Sequence, residues 1–163
     1  MQAPLKGIKV VDLSAVVSGP MAAGILADQG ADVIKVETQG GDLTRVIGPA
    51  VGDLTGLFIA INRGKRSIVL DVKQAEGARV LRDLIAKADV LVENFRPGAL
   101  ARLGFSYEAV KAYNPRLVYL SISGFGQNGP DHGRAAYDVP STAQMRNMSP
   151  THASSSASVP SFT

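Results

Sequence analysis

The run from Gly7 to Glu37, GIKVVDLSAVVSGPMAAGILADQGADVIKVE, constrains this chain more than any other stretch. Ile8, Val10 and Val11 lead into Asp12 and Leu13 as a short β-branched strand. Gly19-Pro20 supplies a turn and a helix start, and Asp32 to Glu37 reads as a second buried strand. That succession is the βαβ opening of a nucleotide-binding domain. A dinucleotide site places G-x-G-x-x-G directly after the first strand so that the backbone can approach a pyrophosphate. Here Ser14-Ala15-Val16-Val17-Ser18-Gly19-Pro20 occupies that place, and an ordinary NAD fingerprint is absent.

The alternation continues downstream. Ser67 to Asp71, Val90 to Glu93 and Leu117 to Ile122 read as further strands, and Leu54 to Asn62, Lys73 to Ala88 and Tyr107 to Tyr113 as helices. In the longest of these, Ala75, Ala78, Val80, Leu81, Leu84 and Ile85 form one apolar stripe opposite charged residues. Five short buried runs separated by helical patterns predict an α/β fold, a parallel sheet with helices on both faces. Ligands then collect at the carboxyl ends of the strands, which directs the search to Ser14 to Ser18, Glu37-Thr38, Leu70 to Lys73, Asn94-Phe95-Arg96 and Ser123 to Gly126.

Composition narrows the chemistry. A chain of 163 residues with 45% apolar content can bury the core of one domain. No apolar segment reaches the roughly 18–20 residues of a membrane span, and Met1 to Lys6 leads straight into a core strand without a signal peptide, so a cytoplasmic location is the default expectation. The absence of cysteine excludes disulfides, thiolate nucleophiles and cysteine-based zinc sites, and His132 and His152, both in loop-like sequence, argue against a histidine metal site. The net charge of +3 is dispersed, as on a solvated surface, with no block that would serve a nucleic acid. Arg63, Lys65 and Arg66 form the one tight basic cluster, either a solvated turn or, if the side chains converge, a phosphate ligand. On residue type alone, Asp12 reads as a hydrogen-bond acceptor at a strand end, Asn94 before Pro97-Gly98 as turn chemistry, Phe95 as core, and GFGQNGP from Gly124 as a surface loop.

A more specific pattern lies in VLVENFRPGALARLGFSYEAVKAYNPRLVYLSISGFGQNGP. Together with the opening run, NRGKRSIVLD and AAYD, it closely resembles the class III coenzyme A transferases, the group of carnitine dehydratase, bile-acid-inducible proteins, formyl-CoA transferase and racemases of branched acyl-CoAs. The resemblance is collinear from about Pro4 to Asp138. It implies a Rossmann-like large domain, a smaller domain reached by long linkers, and an interlocked homodimer. It also implies CoA transfer between carboxylic acids through an aspartate that forms an acyl anhydride and then an aspartyl-CoA thioester, with amide donors at the developing oxyanion. CoA is the implied ligand, acyl-CoA and carboxylic acids are the substrates, and no metal is needed.

Carried over residue by residue, the resemblance places Val17 and Ser18 beside the CoA thioester, although several formyl-CoA transferases have glutamine at the Val17 position. Thr38 replaces an arginine that meets the nucleotide end of CoA. Leu70 lines the adenosine site, Asn94, Phe95 and Arg96 form the loop that holds the cofactor, and Arg102 serves the phosphates. Asp138 matches a carboxylate that supports catalysis without being the nucleophile.

The resemblance fades after Asp138, the last acidic residue of the chain. The final 25 residues hold seven serines, three prolines and no Asp or Glu, a composition expected to be disordered. The expectation is therefore a Rossmann-like CoA-binding region over 1–138 and a Ser/Pro-rich tail over 139–163. Such a chain is incomplete relative to the family fold, through a truncated or frameshifted reading frame, and lacks the nucleophile and the means to interlock. Three alternatives stay open: a non-catalytic CoA- or nucleotide-binding module, a racemase-like relative, and an NAD-type oxidoreductase domain, the last disfavoured by the missing glycine fingerprint.

Overall fold

The computed structural model describes residues 2–52, 54–134 and 136; Asp138 and the stretch 139–163 lie outside the described residues. In chain order the elements are β1 (Lys9–Asp12), α1 (Ser18–Asp28), β2 (Asp32–Glu37), a 3-10 turn (Leu43–Arg45), β3 (Ala50–Val51), β4 (Leu54–Thr55) and α2 (Gly56–Asn62). They continue with β5 (Arg66–Val69), α3 (Ala75–Ala86), β6 (Val90–Glu93), α4 (Ala99–Arg102), α5 (Tyr107–Tyr113) and β7 (Val118–Ser121). Five strands make one parallel sheet in the order β5-β2-β1-β6-β7, while β3 and β4 pair as a small antiparallel hairpin. The order steps outward from β1 to β5, then returns to the other side of β1 for β6 and β7. A switch point thus lies between β1 and β6, where α/β sheets open a crevice at their carboxyl ends.

Alternation along each strand divides the core in two. Val10, Val33 and Val92 face α1 and pack with Ala23 and Ala31. Val11, Val36 and Leu91 face the other side, where α3 contributes Leu81 and Ile85, α5 contributes Val110, and Leu100 and Phe105 fill the space between. The central strands β1, β2 and β6 are buried on both faces and read as mainly apolar runs, whereas β5 and β7 at the sheet edges are more exposed.

Local chemistry sets the helix ends. Pro20, without an N–H, is tolerated in the first turn of α1. The Thr55 hydroxyl accepts the Phe58 N–H to cap α2, and the Ser106 hydroxyl accepts the Ala109 N–H to cap α5. Asn114 donates through Nδ2 to the carbonyls of Ile85 and Ala88, both at 2.9 Å, closing the C-terminal end of α3. Helices α1 and α2 meet at Gly24, where a Cβ would lie 2.9 Å from the Ile61 carbonyl oxygen.

The parallel sheet is the one the hydrophobic pattern predicts. The helix expected from Leu54 instead starts at Gly56, because Leu54 and Thr55 pair with Val51 and Ala50 and Thr55 serves as the cap. The four-residue helix α4 and the hairpin had no sequence signal long enough to show a period.

Candidate functional site

The loops that follow β1 and β6 meet at the switch point. Asn94 accepts the Ala15 N–H through Oδ1 at 2.9 Å and donates through Nδ2 to the Ala15 carbonyl at 2.7 Å, so one side chain holds both polar groups of one residue. Nδ2 also reaches the Ser18 hydroxyl at 3.3 Å. The next residue, Val16, has φ of 66°. That left-handed conformation is foreign to a β-branched residue and costs about 1–3 kcal/mol, so its surroundings must hold it there.

Two buried ion pairs lie beneath this loop. Lys65 Nζ is 2.8 Å from Asp12 Oδ2 and also donates to the Pro20 carbonyl and Asn62 Oδ1. Asp12 accepts the backbone N–H and the hydroxyl of Ser14. Lys35 Nζ is 2.9 Å from Asp42 Oδ2 and donates to the Ser14 carbonyl. Asp42 Oδ1 accepts the N–H and hydroxyl of Thr44 and the Val16 N–H, the last at 3.3 Å. Burial pushes the Lys65 ammonium below the ordinary lysine range, with Asp12 opposing it. For Asp42 burial acts to raise the pKa, yet the hydrogen bonds from Lys35 and Thr44 and the Lys35 charge bring it below the usual carboxylate value.

Beside them Glu37 binds Arg45 through both carboxylate oxygens at 2.8 Å and accepts the Ser67 hydroxyl and the Asp42 N–H. Its pKa is lowered to about 2, chiefly by the Arg45 hydrogen bonds, which outweigh burial. The guanidinium of Arg45 also stacks 3.8 Å from the Phe58 ring centroid, fixing the 42–45 turn to α2.

Two cavities flank Phe95. One, of about 280 Å³, is lined by Ser18, Asn94, Arg96, Ser123, His132 and Arg134 among others. The other, of about 110 Å³, is mainly apolar, with Leu13, Val36, Thr38, Leu70 and Val72 in its walls. Arg96 also lines a third space of about 390 Å³ between β6, β7, α4 and α5.

Of the sequence-derived candidates, Ser18, Asn94, Phe95 and Arg96 thus come together in one wall, and Leu70 and Thr38 join Phe95 in the next. Val17 stands just before α1, exposed, and lines none of these spaces. Arg102, at the end of α4, is likewise exposed and outside them. The Arg63, Lys65 and Arg66 cluster does not converge on a ligand: Arg63 pairs with Asp28 and Arg66 with Asp32 at the surface, while Lys65 is buried on Asp12. Asp12 is an acceptor, as its position suggested. Sequence reasoning missed Lys35, Asp42, His132 and Arg134; only the spacing of Asp42 after the Gly40-Gly41 turn gave any signal. Among the described residues no group of three or more His, Cys, Asp or Glu is arranged to hold a metal ion, and no helix is long and apolar enough to cross a membrane.

A cavity lined by Arg96, His132 and Arg134 and a mainly apolar one thus lie side by side at the carboxyl end of a parallel sheet, the end at which α/β sheets take their ligands. The chain belongs to CoA-transferase family III, whose family model matches residues 5–157, a span that runs past Asp138. It is 50% identical over 137 residues to acetyl-CoA:oxalate CoA-transferase of Acetobacter aceti, covering 83% of this chain and 35% of that protein. It is 44% identical over 142 residues to human succinyl-CoA:glutarate CoA-transferase, covering 86% of this chain and 32% of that one. Among solved structures, a CAIB/BAIF family protein from Brucella suis superposes with a TM-score of 0.81 at 48% identity, over 85% of this chain and 38% of that one. The chain therefore spans about a third of the length of the curated relatives it matches.

Proposed function

We propose that these residues form the CoA-binding part of a transferase that moves CoA between carboxylic acids. The observation that carries the reading is the Asn94 clamp on Ala15, which gathers Ser18, Asn94, Phe95 and Arg96 from two loops into one cavity with His132 and Arg134. CoA is a chain of phosphates and amides with an apolar pantetheine arm and an aromatic base. Arg96 and Arg134 suit its phosphates through charge-assisted hydrogen bonds. The apolar space between Leu70 and Phe95 suits the base. Acyl-CoA and free carboxylic acids are the substrates in this reading.

Acyl transfer also requires a carboxylate that attacks the thioester and then carries the acyl group. In the family resemblance Asp138 supports that step and the nucleophile follows later, yet no Asp or Glu follows Asp138 in these 163 residues. Binding without turnover is the behaviour proposed for the 163 residues alone.

Thermal shift and calorimetry with CoA, an acyl-CoA and NAD test the reading, since a ligand at 100 times its Kd stabilises a protein by about 2.7 kcal/mol. CoA and acyl-CoA should raise the melting temperature and NAD should not. A shift with NAD alone, or none with CoA, overturns it. Chromatography of acyl-CoA donors mixed with carboxylate acceptors, with hydroxylamine as a trap, should show no exchange; turnover abolished by Asp138→Asn would make Asp138 the nucleophile.

A further inference from the structure

We infer that Asp42 is a positioning residue for the ligand site, acting by holding Val16 in its left-handed conformation. The inference rests on the CoA reading for its affinity measurement only. Asp42 belongs to the turn after β2, not to a strand that carries the site, and it lines the apolar cavity with little of its own surface exposed. Its two carboxylate oxygens do different work. Oδ2 faces Lys35, the ammonium that also holds the Ser14 carbonyl, and Oδ1 receives the Val16 N–H along with Thr44. Asn94 grips Ala15 from the opposite side. Three consecutive residues, Ser14, Ala15 and Val16, are each held by a different buried or half-buried side chain, and the last of them has the disfavoured φ of 66°. Ser18, two residues on, lines the cationic cavity.

A valine released from this grip returns to negative φ, and only a minority of molecules then present the loop in the form seen here. The apparent Kd rises by the reciprocal of that fraction. A strain of the size expected for this conformation corresponds to about a tenfold loss of affinity. Glycine, by contrast, populates positive and negative φ about equally, so at position 16 it should recover most of the affinity without any help from Asp42.

The test is a set of variants in the full chain: Asp42→Ala, Asp42→Ala with Val16→Gly, and Val16→Gly as reference. Calorimetry with CoA gives affinity, thermal melting gives stability, and the intraresidue Hα–HN cross-peak of residue 16, strong only at positive φ, reports the conformation. Asp42→Ala should weaken CoA about tenfold and reduce the Val16 cross-peak to the lower intensity of a residue at negative φ. Adding Val16→Gly should bring affinity back to within about threefold of the reference. The melting temperature should stay low in both, because Lys35 remains buried without its carboxylate whatever residue 16 is. That separation of affinity from stability is what a merely structural role would not produce. If Asp42→Ala does not fold, the pair is made in a Lys35→Met background, where no buried charge is stranded. Unchanged affinity in Asp42→Ala, or affinity that follows the melting temperature and is not restored by glycine, overturns the inference. If the unmodified chain binds no CoA, the CoA reading fails; the cross-peak then decides the role of Asp42, a fall to the intensity usual at negative φ supporting control of Val16 and unchanged strong intensity overturning it.

Discussion

Asn94 and Ala15 stand 79 positions apart in sequence and share two hydrogen bonds, one in each direction, across the junction of β1 and β6. Asn94→Ala leaves the Ala15 N–H and carbonyl without these partners and should cost about 1–3 kcal/mol in chemical denaturation, the range for a stranded buried polar group. Asn94→Asp keeps an acceptor for the N–H but turns a second oxygen on the carbonyl, so it should not restore stability. Both variants should weaken CoA in calorimetry.

Arg96 and Arg102 separate two views of phosphate recognition. Arg96 lines the cationic cavity, whereas Arg102 lies outside it. Arg96→Ala should reduce CoA affinity and flatten its dependence on salt, and Arg102→Ala should do so less, because charge-assisted contacts are made only where the ligand sits. Titrations at several ionic strengths check the order.

Lys65→Met strands the Asp12 carboxylate in a site closed to water. A loss of about 3–5 kcal/mol is expected in denaturant unfolding, and pairing it with Asp12→Leu should return a large part of that loss.

Glu37 predicts the acid limb of stability. Its pKa of about 2 in the folded chain lies below the ordinary value of 4.5, so its contribution is complete above pH 4.5 and is lost as the pH falls toward 2. About 2–3 kcal/mol is involved, allowing for the partial exposure of Arg45. Glu37→Gln should be less stable at neutral pH and show a shallower decline between pH 4.5 and 2 in urea titrations.

Gly19 and Gly56 should respond oppositely to alanine. A Cβ at Gly19 would overlap the Ser14 side chain, which Asp12 holds in place, while a Cβ at Gly56 meets nothing within 4 Å. Gly19→Ala should lower stability by about 1–3 kcal/mol. Gly56→Ala, at the start of α2, should raise it by about 0.4–1 kcal/mol through the entropy of the unfolded chain. Melting curves of the two variants are the check.

The sheet was legible because its central strands are buried on both faces and so stand out as short apolar runs such as Val90 to Val92. The loops at the carboxyl ends followed from that, and position and resemblance had singled out Ser18, Asn94, Phe95 and Arg96, which the fold gathers in one cavity wall. The charges were not legible in the same way. Lys35 alternates with apolar neighbours as a solvent-facing strand residue would, and Lys65 sits in a basic turn that looks solvated. What makes each internal is a single carboxylate brought alongside by the fold, Asp42 for one and Asp12 for the other, and no local pattern announces such a partner. The conformation of Val16 was hidden for a related reason: residue type argues against positive φ, and the groups that impose it come from positions 42 and 94.

The pairing of β1 with β6 has a consequence for the order of events during folding. β1 and β2 are joined by a short crossover and β5 adds to their outer edge, but the other side of β1 waits for a strand that begins at residue 90. Closing a loop of that length is slow compared with forming the first βαβ unit. During synthesis the Ser14 to Ser18 segment therefore leaves the ribosome long before Asn94 exists to grip it, and its final shape is among the last features of the chain to mature.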